Sequence, residues 1–258
     1  KNLMIIANWK SNGGLMMIQD WTSDFINSCT PKDFYVGIAP PVIYISNFSS
    51  LEWDLDTLEE KSNNKIWDIK IGAQDVDHSS GSRTGAVAIK MFEDFGIDFA
   101  IIGHSERREY FNEDNDLIKQ KISALNDSNV KTKILCIGET KEENDKGITK
   151  DVLKNQLEVV DAVDLENFII AYEPVWAIGS GLTPDPKDIN EIHKYIKDVV
   201  QSTSANNLVP KVMYGGSVTD KNAESFFTEQ FVDGALVGGA SLNGKTFANI
   251  VNIYSSTK

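Results

Sequence analysis

The sequence has little cysteine. Cys29 and Cys136 are the only two among 258 residues, and they lie too far apart in the chain to give a metal-ligand spacing. Cys136 sits inside the apolar run Ile134–Ile137, which reads as a buried, reduced thiol and points to a reducing compartment, most simply the cytoplasm. Basic residues are also scarce: 25 against 38 acidic ones, a formal net charge of −13. Such a surface repels nucleic acid and anionic membranes. It repels anionic metabolites at long range too, so any phosphate site must be built from short-range donors. Long apolar runs are missing. The longest near the N-terminus, Leu3–Ala7, is too short for a signal-peptide core or a membrane span. There is no low-complexity tract, no linker-like stretch, no P-loop pattern and no convincing Rossmann fingerprint. What remains is an ordinary soluble globular composition, in a chain long enough for one large α/β domain spanning residues 1–258.

Short apolar runs recur at a near-regular beat. They fall at Met4–Asn8, Tyr35–Ala39, Ile69–Ala73, Phe99–Gly103, Lys133–Gly138, Phe168–Glu173, Lys211–Tyr214 and Ala235–Gly238. Segments of helical period separate most of them. The clearest is Asp188–Gln201, where Ile189, Ile192, Ile196, Val199 and Val200 share a face, with Asp185 as N-cap and Pro186 at the first helical position. Strands apolar on both faces, alternating with helices, predict a parallel sheet, and eight such units predict a (β/α)8 barrel. A doubly wound open sheet is the competing architecture. The polar Ser46–Lys70 segment reads as a helix–loop connection and Ser79–Gly85 as an excursion loop.

In such a barrel the chemistry sits at the C-terminal ends of the strands. There the sequence delivers Asn8-Trp9-Lys10, Gly103-His104-Ser105-Glu106-Arg107, Glu173, Tyr214-Gly215-Gly216-Ser217 and Gly238-Gly239-Ala240-Ser241. Glu173 precedes a proline, which keeps it extended and ends the strand at this carboxylate. Shedding of water by Val175 and Trp176 would raise its proton affinity, as a base requires. Taken alone, it reads more simply as an acid paired with a neighbouring cation, since acids at strand ends are common. His104 precedes Ser105, which reads as the N-cap of the next helix; the positive end of that helix favours a neutral ring. His193 reads as part of a surface helix and His78 as part of a polar loop. Lys10 supplies a cation that an acidic protein needs to hold an anion, and Glu106 could fix it by pairing. Gly179-Ser180-Gly181, Gly216-Ser217 and Gly238-Gly239 offer backbone N–H groups to a phosphate.

These residues also carry a family likeness. "ANWK" at 7–10, "IGHSERR" at 102–108, "AYEPVWAIGSG" at 171–181, "YGGSV" at 214–218 and "LVGGASL" at 236–242 resemble the triosephosphate isomerase family, in order and over nearly the whole chain. The resemblance implies a glycolytic and gluconeogenic isomerase of dihydroxyacetone phosphate and glyceraldehyde 3-phosphate. It implies Glu173 as the base, His104 as the group polarising the carbonyl, and Lys10, with Asn8, as the cation that binds substrate and stabilises the enediolate. Glu106 would partner that lysine. Gly179, Ser217, Gly238 and Gly239 would grip phosphate under a mobile lid at 174–184. It implies no metal and no organic cofactor, and a homodimer in which the loop around 74–85 reaches toward the neighbouring site.

Some positions depart from the family pattern. Arg83-Thr84-Gly85-Ala86 lacks the usual aromatic and acid of the interface loop, Ser180 stands for a threonine, and Ser11 for a frequent methionine. Pro184 stands where many relatives use a backbone N–H to bond the tyrosine matching Tyr214, so that latch is expected to be absent or rewired. Two other readings compete: a non-catalytic barrel scaffold, which would have lost part of the set Asn8, Lys10, His104, Glu106 and Glu173, and another phosphosugar barrel enzyme such as an aldolase, which would need a Schiff-base lysine.

Overall fold

Eight apolar runs become eight parallel strands in a computed structural model, which describes residues 2–30, 33–49, 69–160, 167–178, 182–204 and 207–258. The strands are β1 (Leu3–Asn8), β2 (Tyr35–Ala39), β3 (Ile69–Ala73), β4 (Phe99–Ile102), β5 (Thr132–Ile137), β6 (Phe168–Tyr172), β7 (Lys211–Tyr214) and β8 (Gly234–Val237). Each pairs with the next, and β8 pairs back to β1 through Ile5–Ala235 and Ala7–Val237, closing a barrel. A closed ring excludes the open sheet and leaves the (β/α)8 barrel. The strand limits differ from expectation by a residue at most. The predicted connection at 46–70 falls largely outside the described residues.

Strand alternation sorts the core into two layers. Leu3, Ile6, Phe99, Ile101, Ile134, Cys136, Ile169, Ala171, Met213 and Leu236 pack together inside the barrel. Their strand neighbours, such as Ala100, Leu135, Ile170 and Val212, pack outward with the helices. The parity slips once, between Leu3 and Ile5, where the β1–β2 register shifts. Phe99 fills the inner layer only because β2 and β3 present glycines to it. A Cβ on Gly72 would sit 2.2 Å from the Phe99 ring, and one on Gly37 at 2.8 Å.

The helix Pro186–Thr203 starts as its sequence demands, with Asp185 capping the N–H of Lys187 and proline in the first turn. Its buried stripe is Ile189, His193, Ile196 and Val200. His193 is therefore not a surface residue: three- and four-residue spacings put it on the apolar face. Edge-on against Tyr172, it is wholly buried. The excursion loop is closed by a bridge between Asp77 and Ala88. Asp77 organises it, accepting from the N–H of Ser79 at 3.0 Å and from Nε of Arg83 at 2.8 Å. No described helix is long and apolar enough to cross a membrane.

Candidate active site

The parity that builds the core also aims the rim. Glu173 continues the inward phase of Ile169 and Ala171, so its side chain turns into the barrel mouth, and it is 1% exposed. Its own N–H still bonds the carbonyl of Ile137 at 2.7 Å, which keeps it on the rigid end of β6. Two glycines make room on either side. A Cβ on Gly138 would lie 1.7 Å from the Glu173 carbonyl oxygen, and one on Gly215 2.8 Å from its Cγ.

His104 follows the end of β4, two strands away from β6. Its Nε2 lies 2.7 Å from Oε1 of Glu173, and Oε2 of that glutamate accepts the N–H of Ser105 at 3.0 Å. The N-cap of the helix Ser105–Tyr110 is His104 itself, not Ser105: its Nδ1 accepts the N–H of Glu106 at 3.2 Å. A ring nitrogen can cap a helix only if unprotonated, so Nδ1 is bare and the ring's proton lies on Nε2, facing Glu173. Burial works against charge on the ring, but the Glu173 carboxylate overrides it and raises the proton affinity of His104 from the ordinary imidazole value.

The expected rise in the Glu173 proton affinity is not what this arrangement gives. Burial does push that way, yet His104, the Ser105 N–H and the Lys10 charge outweigh it, and the carboxyl is lowered from its ordinary value. Desolvation was legible from the apolar neighbours; the donors converging from another strand were not.

Lys10 lies beyond the end of β1 with φ at 51°, and its Nζ reaches Oε1 of Glu106 at 2.6 Å. Glu106 Oε2 lies 3.6 Å from His104 Nδ1. Asn8 accepts the N–H of Lys10 at 3.1 Å. Across the mouth, a Cβ on Gly238 would lie 3.6 Å from Lys10 Cε, and one on Gly239 would meet open space. Ser217 Oγ bonds the carbonyl of Ala177 at 3.3 Å, tying the β7 loop to the segment after Glu173. The structure thus brings Lys10, His104, Glu106 and Glu173 into one contact chain beside Asn8 and Gly238. Gly179 lies outside the described residues. His78 remains in its loop, 3.6 Å from Asp77.

Glu139 was missed. It is fully buried and receives Trp176 Nε1 at 2.8 Å, the Tyr172 hydroxyl at 3.1 Å and Asn144 Nδ2 at 3.2 Å. Burial raises its carboxyl above the usual range against those donors. It fastens the turn after Glu173 to the end of β5. The signal was present in Ile137-Gly138-Glu139, an acid at a strand end like Glu173 itself. The Tyr214 hydroxyl is buried and has no hydrogen-bond partner among the described residues, and Pro184 is buried with no N–H to give.

A parallel barrel with an acid, an imidazole and an ammonium gathered at the carboxyl ends of its strands has the build of a (β/α)8-barrel enzyme. The family model described as triosephosphate isomerase matches residues 3–254. The chain belongs to the triosephosphate isomerase family, which makes it an isomerase. A relative of that name from Blochmanniella floridana is 39% identical, covering 99% of this chain and 97% of its own. One from Baumannia cicadellinicola subsp. Homalodisca coagulata and one from Escherichia coli (strain K12 / DH10B) are each 38% identical, covering 99% of this chain and 98% of theirs.

Proposed function

We propose that this chain interconverts dihydroxyacetone phosphate and D-glyceraldehyde 3-phosphate by proton transfer through an enediolate. The observation that carries the reading is the 2.7 Å contact of His104 Nε2 with Glu173, next to the Lys10–Glu106 pair. Glu173 as carboxylate takes a proton from the carbon beside the carbonyl and, after its carboxyl has exchanged with solvent, gives one to the adjacent carbon. His104 gives its Nε2 proton to the carbonyl oxygen and takes one from the neighbouring hydroxyl, so no net proton is consumed. Lys10 opposes the charge that develops on oxygen. The amides of Gly238 and Gly239, with Ser217 and Gly179 of the lid, grip the phosphate; Asn8 and Glu106 hold Lys10.

To reach carbon, Glu173 must leave His104 and Ser105. It then loses the donors that depress its proton affinity while staying out of water, and its basicity rises when the substrate is present. Closure of 174–184 keeps water from an enediolate that would otherwise expel phosphate. A coupled assay with glyceraldehyde 3-phosphate tests the assignment. Removing a positioned base in Glu173→Gln lowers kcat by roughly 10²–10⁴-fold; equal turnover by wild type and variant contradicts it.

The protein acts as a homodimer in the cytoplasm. Support for the dimer is the exposure of the large apolar side chains Ile43, Tyr110 and Phe111, with Phe111 also lining a hollow of about 500 Å³ together with Val42, Arg83 and Arg107. Cys29 and Cys136, both buried, fit a reducing compartment.

A further inference from the structure

Three described non-glycine residues have a left-handed backbone: Lys10, Asn112 and Asn207. Asparagine tolerates that region through its short polar side chain; lysine has no such excuse. Strain of this kind persists only where the surroundings over-determine it. Both ends of Lys10 are tied. Its N–H donates to Asn8 Oδ1 at 3.1 Å, and its C=O accepts from Nε2 of Gln74 at 2.8 Å. The same Gln74 nitrogen donates to the carbonyl of Ala39, also at 2.8 Å. Ala39 ends β2, the strand paired with β1, and Gln74 follows β3 directly. Two carbonyls face one amide group, so only an NH2 satisfies both. Fixing the N–H and C=O directions of one residue fixes its φ and ψ, and with them the direction in which its side chain departs. For Lys10 that direction brings Cε alongside Gly238 and Nζ onto Glu106.

We propose that Gln74 is a positioning residue that locks the strained backbone of Lys10 and so aims its ammonium into the barrel mouth. This rests on the reading of Lys10 as the anion-binding cation. Gln74→Met keeps the shape and removes the donors; Gln74→Glu keeps the shape and turns carboxylate oxygen toward two carbonyls. Each is measured alone and combined with Lys10→Met, for kcat/KM on glyceraldehyde 3-phosphate and for competitive inhibition by inorganic phosphate.

Gln74→Met is expected to lower kcat/KM and weaken phosphate inhibition, each about 10-fold, and both effects are expected to shrink below about 2-fold once Lys10 is methionine, because residues acting as a unit are non-additive. Gln74→Glu is expected to do the same, which keeps the test open should one variant fold poorly by thermal melting. Equal losses with and without Lys10, or no loss in either variant, overturn the proposal. A wild type that binds phosphate through Lys10 but does not isomerise would sink the proposed function and leave the Gln74 cycle readable from phosphate alone.

Discussion

Glu173 and His193 are both shut away from water, with opposite consequences for charge. Glu173 meets donors and a cation, which override burial and keep it ionised. His193 meets the carbonyl of Phe231 at 3.3 Å and the backbone of Val212, with Asp233 and Lys197 nearby, and burial drives it down to about 3. A depressed imidazole is neutral in the fold and charged in the unfolded chain below its ordinary value near 6.5. Its contribution is therefore complete above pH 6.5 and is lost as pH falls toward 3. The expected acid-limb slope is about 1.4 kcal/mol per pH unit from this residue. Urea unfolding of His193→Gln between pH 6 and 4 is expected to show a slope shallower by one proton; an unchanged slope would discredit the assignment. The sequence placed Lys10, His104 and Glu173 at the strand ends, where they meet, and misjudged the charge balance on Glu173. The identity of His104, Lys10 and Glu173 is local, whereas the Ser105 N–H on Glu173 and the Gln74 amide on Lys10 come from other strands.

The strands carry most of the account at the level of elements. Apolar runs with both faces buried were legible because a barrel hides the inner face in its lumen and the outer face under helices. The inward phase that aims Glu173 follows from the same alternation. What the runs did not reveal is which lumen position is large. Phe99 takes that place, and Gly72 and Gly37 yield to it. Gly72→Ala forces a methyl against the ring and is expected to destabilise the fold by about 1–3 kcal/mol through overpacking. Shortening the ring in Phe99→Leu should make the alanine nearly neutral. Chemical denaturation of the four proteins checks this, and an equal cost of Gly72→Ala in both backgrounds would show that Phe99 is not the obstacle. Glu139 was overlooked because its partners, Tyr172 and Trp176, lie on β6 and in the turn beyond it, more than thirty residues along the chain.

For the molecule as a whole, the formal charge of −13 and the rim chemistry pull in different directions. The surface pushes anions away, and in the proposed reaction Lys10 with the glycine amides holds one at contact distance, where screening by salt is weakest. The exposed Ile43, Tyr110 and Phe111, beside the hollow that Val42 and Arg83 line, are the proposed contact with a second copy. The family's aromatic and acid are replaced there by Arg83 and Ala86, and Arg83 spends its guanidinium on Asp77 of its own loop. Sedimentation equilibrium should give twice the monomer mass, and Phe111→Lys should shift the protein toward monomer; a wild type that stays monomeric at micromolar concentration would remove this part of the account.

In the proposed reaction Lys10, His104 and Glu173 act together on one triose phosphate, Glu173 on its carbons and His104 and Lys10 on its oxygens. Dihydroxyacetone phosphate incubated with the enzyme in D2O and followed by proton NMR tests it most directly. One of the two hydrogens on the carbinol carbon is expected to exchange for deuterium as glyceraldehyde 3-phosphate appears. Both events should slow together in Glu173→Gln. Retention of both hydrogens, with no aldehyde formed by the wild type, would contradict it.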